Sequence, residues 1–565
     1  MLQMTQAELG DFKRDGTRSA RGWRAGLSRR GFAAAGAVLC GMLTAASVLS
    51  QTPRDDSAPQ TLHATTHLVE VSVVAQTKQG APVTGLTQQD FTLLDEGRPE
   101  KIAFFRTETA QASTAKPRPL PPGLYTNRLD LGGPAPTSAT VILFDALNTP
   151  FTDQAYARQQ ILTFLRQLKT GDRVALYAMG RGPRVLQEFT QDPSALISAL
   201  AAYKGTPPAS LSAPMYDPAM SGSDNFEAWL GELTFGLYDY YSEDRAFRTV
   251  RALIAIAEHL ERVPGRKNLV WVAGSFPVSI GGDSTPAPRK TAPGKRDAWP
   301  EVERAARALN RSNLAIYPVD ARGLMVGQQY VGTMMKPELR NPDTSEFATM
   351  QMLAERTGGR AFFNNNDLAA ALHQAADDAR VTYVLGYYAS HHDWKGRFRK
   401  LEVRVARPDV ELHYRRGYFA QPDEPAQAWY RQQVLDAAVW NPIDATGLRL
   451  TVAVTPAAGG GRDLALQVAA DDIAFQRQDD RWECSLDVWL VQLDAQERQL
   501  KTSARSNNLR LEQAMYDRVM QVHGLALAEH VDPQPDTLLL RVLVRDVATG
   551  ALGSLTIPLK TRALR

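Results

Sequence analysis

At 565 residues the chain is too long for one hydrophobic core, and roughly two to four domains are expected. Its composition is ordinary globular, 44% hydrophobic and 22% charged, and a formal net charge of +3 lacks the clustered basic face that nucleic acid would require. The two cysteines are Cys40 and Cys484. Cys40 falls in an N-terminal apolar segment, so a processed chain keeps only Cys484, which excludes an intramolecular disulfide and a cysteine-based zinc site.

Basic residues from Lys13 to Arg24 precede 28-SRRGF-32, and 33-AAAGAVLCGMLTAASVLS-50 follows. A positive region, an apolar stretch and a polar continuation are the pattern of an export signal over 1–50. The Ser28–Phe32 pentapeptide resembles the twin-arginine consensus, and the alternative is an uncleaved anchor over 31–50. The chain beyond it is expected to be periplasmic or extracellular, touching membrane only through that segment.

Next, 67-HLVEVSVVAQT-77 alternates like a strand, and Asp95-Glu96-Gly97 separates two short apolar runs as a hairpin would. These predict a small β module over 62–108, followed by a Pro/Gly-rich linker over 109–137. From 138 to 381 apolar strands alternate with amphipathic helices, with insertions at 205–243 and 276–298. Strands 139–145, 172–180, 268–275 and 313–320, and helices 152–169, 193–204, 244–263, 299–312, 345–358 and 365–381, imply a parallel sheet covered on both faces. An antiparallel β extension is expected over 382–420, a helical connector over 421–446, and a β-sandwich-like domain over 447–565, with strands that include 506–512 and 514–528.

Several landmarks, taken in order, resemble the von Willebrand factor type A family, and most closely its VWFA-related subfamily of the acidobacterial type. They include 66-THLVEVSVVAQTKQGAPVTGLTQQDFTLLDEG-97, 141-VILFDALNT-149, 266-RKNLVWVAGSF-276, 315-AIYPVDARGL-324, 354-AERTGGRAFF-363 and 382-TYVLGYY-388. The resemblance implies an α/β fold with a Rossmann-like A-type domain, flanked here by the β module and the C-terminal β-sandwich. It also implies a non-enzymatic role in protein–protein interaction or adhesion at the cell envelope, with a protein partner.

Members of that family hold a divalent ion on Asp-x-Ser-x-Ser, a later Thr and a strand-four Asp. A hard ion such as Mg²⁺ wants oxygen ligands. By the resemblance, Asp145, Thr149 and Thr206 are the metal candidates, and Asp145, Asn148, Thr149, Thr206 and Asp320 form the tentative ligand-binding set. Leu147 stands where the first serine belongs and Ala273 where the aspartate belongs, so a degenerate site without cofactor is expected. Asp145 should then bond loop amides while Asn148 fixes a turn. Mg-dependent binding through a partly retained site is one alternative, and a hydrolase using Ser275 another, although no Gly-x-Ser-x-Gly elbow surrounds that serine. His391-His392-Asp393 reads as a solvated turn. Tyr383, Tyr387, Tyr388, Trp394 and Tyr418 read as core and sheet surface, and Asp239, Tyr240 and Tyr241 are the candidates for an exposed contact surface in the first insertion, with a plain loop as the favoured alternative.

Overall fold

Apolar runs such as Val141–Phe144 become the central strands of a five-stranded sheet. In this computed structural model the described residues are 67–109, 120–129, 138–169, 171–180, 182–205, 225–274, 276, 298–322, 342–363, 367–420, 438–439 and 441–559. All belong to the larger of two compact units, Thr65–Arg565. Residues 1–50, expected to carry an export signal, residues 206–224 and 277–297 of the two insertions and most of the 421–446 connector lie outside the described residues.

The sheet comprises β1 (Ser138–Asp145), β2 (Val174–Met179), β3 (Pro183–Thr190), β4 (Arg266–Ala273) and β5 (Leu314–Asp320), in the order β5-β4-β1-β2-β3. Neighbours are parallel except β3, which runs antiparallel to β2 at the edge. Phe362 adds a parallel bridge beside Val319.

Successive strand residues point to opposite faces, and both faces are apolar here. Val141, Leu143, Leu269 and Trp271 pack under α3 (Asn225–His259), α4 (Trp299–Arg311) and α5 (Pro342–Thr357). Ile142, Phe144, Val270 and Val272 pack under α1 (Phe151–Arg166), α2 (Pro193–Ala202) and α6 (Leu368–Asp377). α2 starts as its residues dictate: Asp192 accepts from the Ser194 amide and Pro193 opens the first turn. α3 is longer than its predicted 244–263 span, because it begins inside the first insertion. The strand order reverses between β1 and β4, which places the topological switch point of the sheet at their carboxyl ends.

The flanking β segments are interleaved where the sequence reading kept them apart. Strand Leu68–Thr77 lies between Val381–Tyr388 and Val410–Tyr414, and Phe91–Asp95 pairs with Phe398–Val405. Residues 67–109 and 381–420 thus form two sheets over one core, on either side of the α/β domain in sequence. Alternation shows that a strand exists but not its partner, which is why the two halves read as separate modules. The hairpin at Glu96-Gly97 has both residues at positive φ, 50° and 77°, as a two-residue primed turn needs.

Beyond residue 446, two sheets close over a shared core of Leu450, Leu466, Leu486, Val488, Leu540 and Val542. Two expectations are corrected there. Leu124–Thr126, assigned to the linker, is a strand paired with Leu450–Pro456. The segment 514–528, expected as one strand, is covered by a helix, Gln513–Gln521, and the start of a strand, Leu525–Val531. Its Tyr516 stacks on Trp482 at 4.2 Å, a tertiary contact that period alone does not reveal. Cys484 is buried in this core, which pushes its thiol up to about 12.

Candidate functional site

Asp145 closes β1 on the same face as Val141 and Leu143, the face that also carries Trp271 on β4. The chain then turns through 146-ALNTP-150 into α1. This local geometry saturates the carboxylate. Oδ1 accepts the Leu147 and Asn148 amides, both at 3.0 Å, an Asx turn on its own loop. Oδ2 accepts Asn148 Nδ2 and Trp271 Nε1, both at 2.8 Å. Leu143 of β1 is level with Trp271, so the indole reaches about one pleat repeat (~6.6 Å) up the sheet to the acid. Asp145 is fully buried, and desolvation pushes its carboxyl up to about 6 although these donors pull it down.

Asn148 also donates to Thr249 Oγ1 at 2.7 Å, which ties the loop to α3, and Thr249 donates to the Arg245 carbonyl at 2.8 Å. Thr149 Oγ1 donates to the Asp145 carbonyl at 2.5 Å and accepts the Gly274 amide at 3.0 Å. Gly274 suits this close approach: a Cβ would stand 3.0 Å from both the Asn148 carbonyl and Pro150, so the loop would have to give by a few tenths of an ångström. Leu147 and Ala273 are both buried in the apolar core beneath α3 and α4.

The structure brings Asp145, Asn148 and Thr149 together and keeps Asp320 away from them. Asp320 ends β5, two strands from β1 and therefore about 10 Å away. It is held by Arg322, whose backbone N and Nε lie 3.0 and 3.1 Å from Oδ1. Burial raises its carboxyl above the usual range. Thr206 and Ser275 lie outside the described residues. His391 faces Tyr418, its Nε2 at 2.7 Å from the hydroxyl, while Nδ1 accepts the Asp393 amide at 3.1 Å. Tyr383, Tyr387 and Tyr418 are buried and Tyr388 is exposed.

The sequence reading missed Trp271 and Thr249. Trp271 carries a legible signal: it is the one residue of 268-NLVWVAGS-275 with a long side-chain donor, two places from Ala273 on the same face. Thr249 has none, being one polar residue on a helix. Phe151 was missed as well. It opens α1 directly after the loop and is 64% exposed.

Among the described residues the donor set does not fit a divalent ion. An octahedral site needs about six oxygens, yet N–H groups already point at both Asp145 oxygens and a fixed indole fills the approach. Asn148 Oδ1 is the acceptor left without a partner, and it is single and neutral. Among the described residues no group of three or more His, Cys, Asp or Glu is placed to hold a metal.

Strand order, crossover pattern and the loop after β1 define this as a von Willebrand factor A-type fold. No family model and no curated protein matches the chain. Solved structures similar to it include an aerotolerance-related membrane protein from Bacteroides fragilis, at 12% identity and TM-score 0.24, covering 42% of this chain and 98% of that one. A von Willebrand factor type A protein from Catenulispora acidiphila, at 9% identity and TM-score 0.21, covers 81% and 73%. An Rpn10 VWA domain, at 13% identity and TM-score 0.20, covers 41% and 94%. The fold assignment stands on the strand order rather than on these likenesses.

Proposed function

We propose that this is an exported, non-enzymatic binding protein of the cell envelope whose A-type domain contacts a protein partner through its carboxyl-end loops without a divalent ion. The observation that carries the reading is the saturation of Asp145: Trp271 and the loop amides occupy the carboxylate that a metal-dependent site would keep open. Two exposed aromatic side chains lie toward the same end. Phe151 follows the Asp145 loop, and Tyr240, 62% exposed, stands about 13 Å along α3 from Thr249 toward the carboxyl end of the sheet. Large amphipathic rings are typical anchors of protein interfaces. Export rests on the pattern of residues 1–50, and no helix among the described residues is long and apolar enough to cross a membrane.

A photo-reactive phenylalanine placed at position 151 or 240 tests this in envelope extract. The reading expects the same discrete protein adduct from both positions, unchanged by EDTA. Adducts that disappear with EDTA, together with Mg²⁺ or Mn²⁺ binding lost in Asp145→Ala, would return the metal-dependent reading. Hydrolysis of an ester substrate that is lost in Ser275→Ala would return the hydrolase.

A further inference from the structure

A second feature lies at the seam between the A-type domain and the interleaved β module, in the stretch 354-AERTGGRAFF-363. Gly358 takes φ +80°, and a Cβ on Gly359 would stand 1.8 Å from the Ile316 carbonyl. The glycine pair therefore lets the chain after α5 lie directly against β5 and strand Val410–Tyr414. Between these elements is a cavity of about 310 Å³, at the lower end of the range for small-molecule sites. Ala354, Phe363 and Leu412 form its apolar wall.

Its polar wall carries two guanidinium groups and an imidazole that is neutral near pH 7. Arg360, His413 and Arg416 line it, and two of their nitrogens, Arg360 Nε and His413 Nε2, are buried without a partner. Arg360 Nη2 is ion-paired with buried Asp378 at 3.5 Å and its guanidinium lies over the Phe362 ring, which leaves Nε as its unpartnered donor. Arg416 spends Nη1 on the Tyr414 hydroxyl at 3.0 Å. Glu355, the acid on the rim, is engaged by Gln351 at 3.0 Å. The field at His413 agrees with this layout: burial and then Arg360, Arg266 and Arg416 push its imidazole down to about 4. A buried guanidinium N–H left unpaired costs free energy, and a planar oxyanion is the group that matches its fork.

We propose that this cavity binds a small organic anion, with its carboxylate or phosphate oxygens on Arg360, Arg416 and His413 and its apolar body against Phe363 and Leu412. The ligand chemistry is an oxyanion on a compact apolar group, and the site is separate from the Asp145 loop.

Calorimetric titration of the full chain at low salt with benzoate, phenyl phosphate and benzamide tests it. Binding of benzoate alone assigns a carboxylate ligand, and binding of phenyl phosphate alone a phosphate. In either case benzamide, the same ring without the charge, should bind at least about tenfold more weakly. Arg416→Gln and His413→Phe should each weaken the anion about tenfold or more while leaving the melting temperature near that of the parent. Arg416 is exposed, so its variant keeps the test independent of folding. Failure of both anions to bind at about 10 mM, equal binding of benzamide, or unchanged affinity in Arg416→Gln would each overturn the proposal.

Discussion

Four N–H donors converge on Asp145, and one of them comes from a different strand. Trp271→Phe keeps the apolar bulk under α3 but leaves Oδ2 one donor short inside the core. It should cost about 1–3 kcal/mol in urea unfolding, and a cycle with Asp145→Asn should show coupling of about 0.5–3 kcal/mol. The titration of Asp145 gives a second test. Its folded value, raised to about 6 from 3.8, means that the folded state binds this proton more tightly than the unfolded chain. Its contribution to stability is therefore greatest below about pH 4, falls as pH rises from 4 to 6, and is flat above. That window is worth roughly 3 kcal/mol. Subtracting the pH–stability curve of Asp145→Asn from that of the parent should reveal the fall. A flat difference would mean that the carboxylate is fully stabilised by its donors. The residues of this loop were legible as a set, because an acid, an amide and a hydroxyl after a buried strand are read in order along the chain. Trp271 as a partner was not, since 126 positions separate it from Asp145.

Among the elements, the end of α5 and the start of β4 carry the most specific requirements. Gly359→Ala would drive a methyl into the Ile316 carbonyl. With backbone on the far side, the clash can be relieved only by moving the segment away from β5. A loss of about 1–3 kcal/mol or more is expected, seen as a lower denaturation midpoint. The start of β4 holds a buried base: Lys267 is 2% exposed, and its ammonium donates to the Val263 carbonyl at 2.6 Å. Burial lowers it to about 7 from 10.5, so the folded state gives up this proton more readily than the unfolded chain. Stability from this group is full above about pH 10.5 and is lost as pH falls through 10.5 to 7. Lys267→Met should therefore stabilise the protein most below pH 7, with the advantage fading toward pH 10, measured as the difference in unfolding free energy. Helices with cap signals, such as α2 behind Asp192-Pro193, were readable to within a residue or two. The helix Gln513–Gln521 was not, because its aromatic contact with Trp482 outweighs a local pattern that fits strand equally well.

Across the whole molecule, the interleaving of 67–109 with 381–420 ties the two flanks of the A-type domain into one body. Asp95 sits at that knot. It accepts the Tyr387 and Tyr418 hydroxyls, both at 2.9 Å, and the Arg399 guanidinium, with Nε at 3.0 Å. All three partners come from the second half, and Asp95 is 1% exposed. Asp95→Ala leaves a half-buried guanidinium and two buried hydroxyls without their acceptor. It should destabilise by about 3–5 kcal/mol, and calorimetry should show the β module melting before the A-type domain.

The amino-acid sequence alone determined the alternation of apolar strands and amphipathic helices, and with it a doubly covered sheet whose first strand ends on Asp145. It also marked Leu147 and Ala273 as residues without ligating oxygens. These are local properties, carried by side-chain period and residue chemistry. Tertiary structure alone decided what takes the place of those oxygens, that Asp320 stands apart with Arg322, and that two distant β segments share their sheets. Each of these depends on which strand lies beside which, and that follows from burying all the apolar faces at once rather than from any single stretch of the chain.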